Sequence, residues 1–255
     1  MNSHTVASPV DSGGRRVLVV QPDPSCPLDR LETWLRDEGI EIKVVRPFHR
    51  DILPDVVEED ALIVLGGEMS SLDDHLYSWL AGIRRLFTDA ESRRKPALGI
   101  CLGAQLMSQA FGGTVARGEQ GLEAGVVRVS WRPEADDDAL FGGLPDPLFV
   151  GSFHGDMIEV LPPSAVWLGS TAIYPHQAFR VGETSWGVQF HPELSSTGYR
   201  SWRSLVTGSD PLTVERADQG MIDFEQHHDL VAAHTRMIAQ RFARLINSAA
   251  AVPSA

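Results

Sequence analysis

Gly99-Ile100-Cys101-Leu102-Gly103-Ala104-Gln105 is the stretch on which the reading of this chain turns. It joins a short apolar run, Pro96–Ile100, to a helically spaced segment, Leu102–Phe111, that closes on Gly112–Gly113. An apolar run bounded by turn residues predicts a buried strand, and glycines after the last periodic residue predict a helix C-terminus. Cys101 therefore falls on a strand-to-helix turn with a glycine two residues away on either side. That pattern, G-x-C-x-G, is the cysteine form of a nucleophile elbow. The sharp turn strains the backbone at its centre, and small neighbours relieve the crowding. It aims the sulfur above the C-terminal edge of the sheet, where open α/β folds bind ligands. The N-terminus of the following helix favours a thiolate there.

Working outward, strand and helix patterns alternate. Arg16–Pro22, Glu41–Pro47 and Ala61–Gly67 read as strands, and Leu28–Glu38 and His75–Ala90 as helices. Such alternation predicts βαβ units and a parallel sheet covered on both faces. From Gly113 the period shortens. Gly113–Arg117, Val126–Trp131, Leu148–Phe153, Val166–Ser170, Gln177–Val181 and Trp186–Phe190 are strand candidates separated by turn residues, and they predict an antiparallel addition. The acidic stretch Pro133–Asp138 reads as a solvated loop. After Glu193 the pattern returns to helix, clearest over Asp223–Asn247. The expected fold is α/β, with a mainly parallel central sheet flanked by helices and a small antiparallel addition. The expected division is a mobile leader over 1–15, one domain over 16–194 and a helical extension over 195–255 packed on it, frayed from Ser248.

Composition narrows the class. The chain has 255 residues, 43% of them apolar and 22% charged, which suits one large globular domain. No apolar run is long enough to span a membrane, and the leader lacks the apolar core of a secretory signal. A formal net charge of −12 repels a phosphate backbone, so a nucleic-acid partner is not expected. Cys26 and Cys101 are too few for a disulfide scaffold or a four-cysteine metal site, which points to a cytoplasmic protein with reduced thiols.

A thiol nucleophile needs a base. Gly187–Glu193, Gly-Val-Gln-Phe-His-Pro-Glu, delivers His191 from a strand and follows it with Glu193 two residues later. Residues i and i+2 of an extended segment share a side, so Glu193 can orient the imidazole, within limits that Pro192 sets by fixing φ. Val64–Leu72 ends a strand in Gly66–Gly67, where backbone can approach a ligand closely. Acyl transfer needs two donors aimed at the developing oxyanion. The amides of Leu102 and of Gly67 or its neighbour are the candidates. His227, His228 and Asp229 have no third ligand at metal spacing, so no metal is expected.

Together these residues resemble the class I glutamine amidotransferases, in particular stand-alone members similar to the amidotransferase half of GMP synthase. The likeness rests on Gly66–Ser70, Gly99–Gln105, His154–Asp156 and Phe190–Glu193, in family order between Arg16 and Glu193. It implies a flavodoxin-like amidotransferase fold, with Cys101 as nucleophile, His191 as general base and acid, and Glu193 as the orienting carboxylate. It further implies that Gly66, Gln105, Phe153, His154, Gly155 and Asp156 surround the substrate, glutamine or a γ-glutamyl small molecule. No cofactor is called for. Glu68 departs from the family's proline in the oxyanion loop, and its side chain should point outward. No Walker A sequence or Ser-Gly-Gly-x-Asp-Ser loop is present. The expected role is a glutaminase supplying ammonia to a separate synthetase or other acceptor protein. The alternatives are a self-sufficient γ-glutamyl hydrolase and a catalytically silent regulatory subunit, and the resemblance leaves room for a homodimer.

Overall fold

The computed structural model describes residues 14–249. Residues 1–13 and 250–255, which hold nearly all of the expected leader and most of the expected frayed tail, lie outside the described residues. The strands are β1 Arg16–Val20, β2 Glu41–Val45, β3 Ala61–Val64, β4 Ala97–Ile100, β5 Thr114–Arg117, β6 Glu123–Trp131, β7 Leu148–His154, β8 Asp156–Val160, β9 Ala165–Ser170, β10 Ala178–Val181 and β11 Ser185–Val188. The helices are α1 Arg30–Asp37, α2 Trp79–Ser92, α3 Leu102–Ala110, α4 Ser196–Leu205 and α5 Pro211–Ala249. Nine strands form one sheet in the order β2-β1-β3-β4-β11-β10-β9-β6-β7, and β5 pairs with β8 beside it. Pairing is parallel from β2 through β11 and antiparallel from β11 outward. The expected α/β architecture, with its antiparallel addition, is the observed one.

Period-2 alternation sorts the core onto the two faces of the sheet. Val17 and Val19 of β1 join Leu31 and Leu35 of α1 and Ile238, Phe242 and Ile246 of α5. Leu18 and Val20 face the other way, onto Leu80, Ile83 and Phe87 of α2 and Leu106 and Met107 of α3. α5 begins where Asp210 accepts from the amides of Leu212 and Thr213, a side-chain cap ahead of a first-turn proline. At 39 residues it runs about 58 Å at 1.5 Å per residue, against α4, β6 and β7 and on to α1.

The structure departs from expectation at α2 and in the acidic run, and adds β8. α2 starts at Trp79, not His75, because Asp73 holds the preceding residues in turns, accepting from Ser70 through its carboxylate and from Leu76 and Tyr77 through its carbonyl. β8, absent from the strand candidates of the sequence, begins at Asp156, inside the His154–Asp156 motif. α4, which Ser195 caps by accepting from the Gly198 amide, falls in the stretch expected to be helical after Glu193. Finally, the acidic run is solvated only up to Asp137. Asp138 is buried and accepts from Trp186 Nε1 at 3.0 Å, Arg180 Nε at 2.9 Å and two backbone amides.

Candidate active site

The elbow forms because side chains are missing where backbone must pass. A Cβ on Gly99 would lie 2.6 Å from the Gly103 carbonyl oxygen, and one on Gly103 would overlap the Val64 carbonyl. Glycine at both positions lets α3 start immediately after β4, under β3. Cys101 takes the strain, with φ 50° and ψ −106° in a region costly for an L-residue. Its sulfur sits at the first turn of α3, where the Leu102 amide is one of the helix's unpaired donors.

β11 lies parallel to β4 with Gly187 opposite Gly99. The chain beyond it therefore passes beside the elbow. The His191 amide bonds the Gly151 carbonyl, and the Glu193 carbonyl accepts from Arg30, so both ends of this segment are pinned. His191 Nδ1 donates to Glu193 Oε1 at 2.7 Å, both side chains being buried. That leaves Nε2 for the sulfur. Burial alone would push the imidazole's pKa down, but the Glu193 carboxylate and Cys101 outweigh it and raise it to about 10. The pair is arranged to hold an imidazolium.

The glycine loop closes the other side. A Cβ on Gly66 would lie 3.1 Å from His191 Cε1, 3.4 Å from Cys26 Sγ and 3.7 Å from Cys101 Cβ. One on Gly67 would lie 2.9 Å from Leu102 Cδ2. The neighbouring Glu68 amide donates to Asp23 Oδ2 at 3.3 Å, whereas the Gly67 amide has no backbone partner among the described residues. The Glu68 side chain is exposed at the cavity mouth.

A cavity of about 530 Å³ opens over the sulfur. Cys101, Gln105, Gly67, Phe153, His154, Gly155, Asp156 and His191 all line it. Gly66 and Leu102 sit beneath its floor, and Glu193 sits behind His191. His154 faces Asp156 O with Nδ1 and Glu123 Oε2 with Nε2, each at 2.9 Å, so neither ring nitrogen is free for a ligand. Burial pushes the Glu123 carboxyl up, but hydrogen bonds from His154, Thr171 and Gln177 hold it below its ordinary value. At the rim Arg117 meets the Asp156 carboxylate at 3.3 Å.

Besides Glu123, three residues at the site escape a reading of the sequence. Cys26 lines the same cavity, and burial, chiefly, raises its pKa well above the ordinary thiol value, so it stays a neutral thiol. Trp202 of α4 stands 4.4 Å from the His191 ring and donates through Nε1 to the Ser25 carbonyl at 2.7 Å. Gln189 places Nε2 3.6 Å from the Cys101 sulfur. Only Gln189 has a signal, its position two residues before His191 in the strand-borne stretch Gly187–Glu193. Beyond Trp202, the segment Leu205, Val206, Ser209 and Thr213 completes the wall.

A doubly covered α/β sheet that brings an elbow cysteine against a buried His–Glu pair defines a thiol–imidazole–carboxylate site. Residues 29–201 match the glutamine amidotransferase class-I family, and the chain belongs to it. It is 30% identical over 184 residues to the A subunit of a glutamine-hydrolysing GMP synthase from Pyrococcus abyssi, covering 71% of this chain and 91% of the relative. The corresponding subunit from Archaeoglobus fulgidus is 33% identical over 180 residues, 69% of this chain and 89% of the relative. Among solved structures, a glutamine amidotransferase from Thermotoga maritima superposes with a TM-score of 0.75 at 25% identity, over 90% of this chain and 98% of that one. One from Methylobacillus flagellatus gives 0.77 at 25%, over 93% and 96%.

Proposed function

We propose that the protein hydrolyses the side-chain amide of glutamine at Cys101 and passes the ammonia to a separate synthetase subunit. The observation that carries this reading is the assembly of Cys101, His191 and Glu193 at one cavity floor. His191 takes the thiol proton, Glu193 holding its Nδ1, and the thiolate attacks the amide carbon. The carbonyl oxygen takes the displaced electron pair and is held by the amides of Leu102 and Gly67. His191 then gives its proton to the departing nitrogen, the C–N bond breaks, and a γ-glutamyl thioester remains. Water attacks next, its proton going to His191, and collapse breaks the C–S bond to release glutamate.

Gln105 and the segment Phe153–Asp156, with Gly66 beneath, surround the glutamyl head group. We assign the chemistry to 16–194 and the amine side of the cavity to the extension from 195. The relatives, each an A subunit by name, support an acceptor-activating partner on another chain, and free thiols at Cys26 and Cys101 suit a cytoplasmic setting.

A second reading has one observation behind it. The cavity exceeds what glutamine needs, falling within the roughly 300–1,000 Å³ of sites for drug-sized ligands, and Trp202, Leu205 and Val206 give it an apolar flank. That room suits a γ-glutamyl amide of a larger amine. Turnover of glutamine and a panel of γ-glutamyl amides by the purified chain separates the two. The ammonia-donor reading expects slow glutamine hydrolysis, accelerated by the synthetase, and no reaction of bulky amides. A γ-glutamyl amide that surpasses glutamine in kcat/KM without a partner would replace it with the hydrolase. Undiminished turnover in Cys101→Ser would remove both. Sizing the chain alone and with the synthetase tells a homodimer from a complex.

A further inference from the structure

The mechanism above leaves Gln189 unused, although its side chain reaches the reacting sulfur. Gln189 is 1% exposed and is the first residue past β11, where its backbone amide still bonds the Gln177 carbonyl, while Phe190 faces the core. Its Nε2 donates to Cys101 Sγ at 3.6 Å. Its Oε1 accepts from Gln105 Nε2 at 3.3 Å, and that same nitrogen donates to the Asp156 carbonyl at 3.3 Å.

The order of these bonds fixes the direction of both amides. A peptide carbonyl only accepts, so Gln105 must turn its NH₂ toward Asp156. That NH₂ then requires the oxygen of Gln189, and the remaining end of Gln189, its own NH₂, is left for the sulfur. Flipping Gln105 would set oxygen against oxygen, and flipping Gln189 would set its NH₂ against that of Gln105 and its oxygen against the sulfur. The relay begins at a backbone atom that cannot rotate and ends on the nucleophile.

We propose that Gln189 is a catalytic hydrogen-bond donor to the Cys101 sulfur, held in that orientation through Gln105 by the Asp156 carbonyl. The inference rests on Cys101 being the nucleophile. Negative charge sits on sulfur at two moments: before attack, when His191 holds the thiol proton, and at thioester collapse, when the C–S electron pair returns to sulfur. A buried donor stabilises both, since hydrogen bonds to ionised acceptors are the strong ones. It acts on the acylation and deacylation steps rather than on substrate binding.

The test compares Gln189→Met, which fills the space without a donor, with Gln189→Glu, which keeps the acceptor for Gln105 but turns a second carboxylate on the sulfur. Glutamine kinetics and alkylation of Cys101 by iodoacetamide are measured in both, with Cys101→Ala as reference. The expected result is a fall of about 10–100-fold in kcat for Gln189→Met, with KM changed by less than about threefold. Cys101 alkylation should slow in parallel, and Gln189→Glu should be slower still on both measures. Variants that lose thermal stability but alkylate and turn over as wild type would overturn the proposal, leaving Gln189 a packing residue. Failure of both variants to fold would do the same. If Cys101→Ala itself retains turnover, the nucleophile assignment falls first, so the two failures are distinguishable.

Discussion

Two buried histidine–carboxylate pairs border the cavity, alike in bond length and burial, one joined through Nδ1 and the other through Nε2. His191 meets Glu193 at 2.7 Å, and His154 meets Glu123 at 2.9 Å. All four side chains are at most 2% exposed. The difference lies in the second ring nitrogen. In His191 it is left for the sulfur of an elbow cysteine, whereas in His154 it is spent on the Asp156 carbonyl. The first pair has one valence open toward a reacting group. The second is closed on itself, and what it fixes is the backbone that receives Gln105. A buried His–Glu pair is therefore not a signature of catalysis, and the third group decides.

The widest separation between the two should come from the histidines. His191→Ala and Cys101→Ala should each lower glutamine turnover by at least about 10⁴-fold. Substitution of His154 should act on the binding of substrate and on folding instead, read as KM and melting temperature. Glutamine substitution at the two carboxylates sharpens the contrast. Glu193→Gln should cost about 10²–10³-fold in kcat with the melting temperature unchanged, because the imidazolium loses its counter-charge. Glu123→Gln should leave kcat within a few-fold and lower stability by about 2 kcal/mol, or about 4–8 °C in Tm. If the two exchange these outcomes, the assignment of roles is reversed.

Trp202→Ala removes the ring against His191 and should lower kcat/KM by about tenfold, with Trp202→Phe closer to wild type and losing only the bond to Ser25. The smallest effect is the pH dependence of stability. The folded pKa of His191, about 10, lies above its ordinary 6.5. The folded state thus holds its proton more tightly, and the resulting stabilisation is full below about pH 6.5 and lost progressively as pH rises toward 10. The Tm difference between wild type and His191→Gln should narrow over that window. A gap that widens with pH would mean the ion pair is not the resting state.

The elbow, the His-x-Glu and the glycine loop are legible in the sequence because each is imposed by backbone. Gly99 and Gly103 are dictated by carbonyls that leave no room for a side chain, and the two-residue spacing of His191 and Glu193, in a turn through Pro192 rather than the extended segment expected, brings carboxylate to imidazole. The strand–helix alternation through Ala110 is legible for the same local reason. Glu123, Trp202 and Cys26 are not, because each reaches the site through tertiary packing with no local constraint to announce it. Glu123 comes from an outer strand, and Trp202 from a helix whose polar composition gives no motif. Asp138 misleads for a related reason. Its charge and its acidic neighbours read as solvated, and only the folded sheet brings Arg180 and Trp186 over it.

The match to the family stops at residue 201, one position before the tryptophan that leans on His191. Part of the cavity wall, from Trp202 to Thr213, thus comes from chain beyond the matched stretch. The stretch from 202 to 213, being free of the glycine constraints that hold the elbow, can drift while the reaction stays the same. A library confined to Leu205, Val206, Ser209 and Thr213 would redraw one wall of the cavity while leaving Cys101, His191 and the Trp202 ring beside it unchanged. Evolution has the same option, and a new leaving group can be tried one side chain at a time.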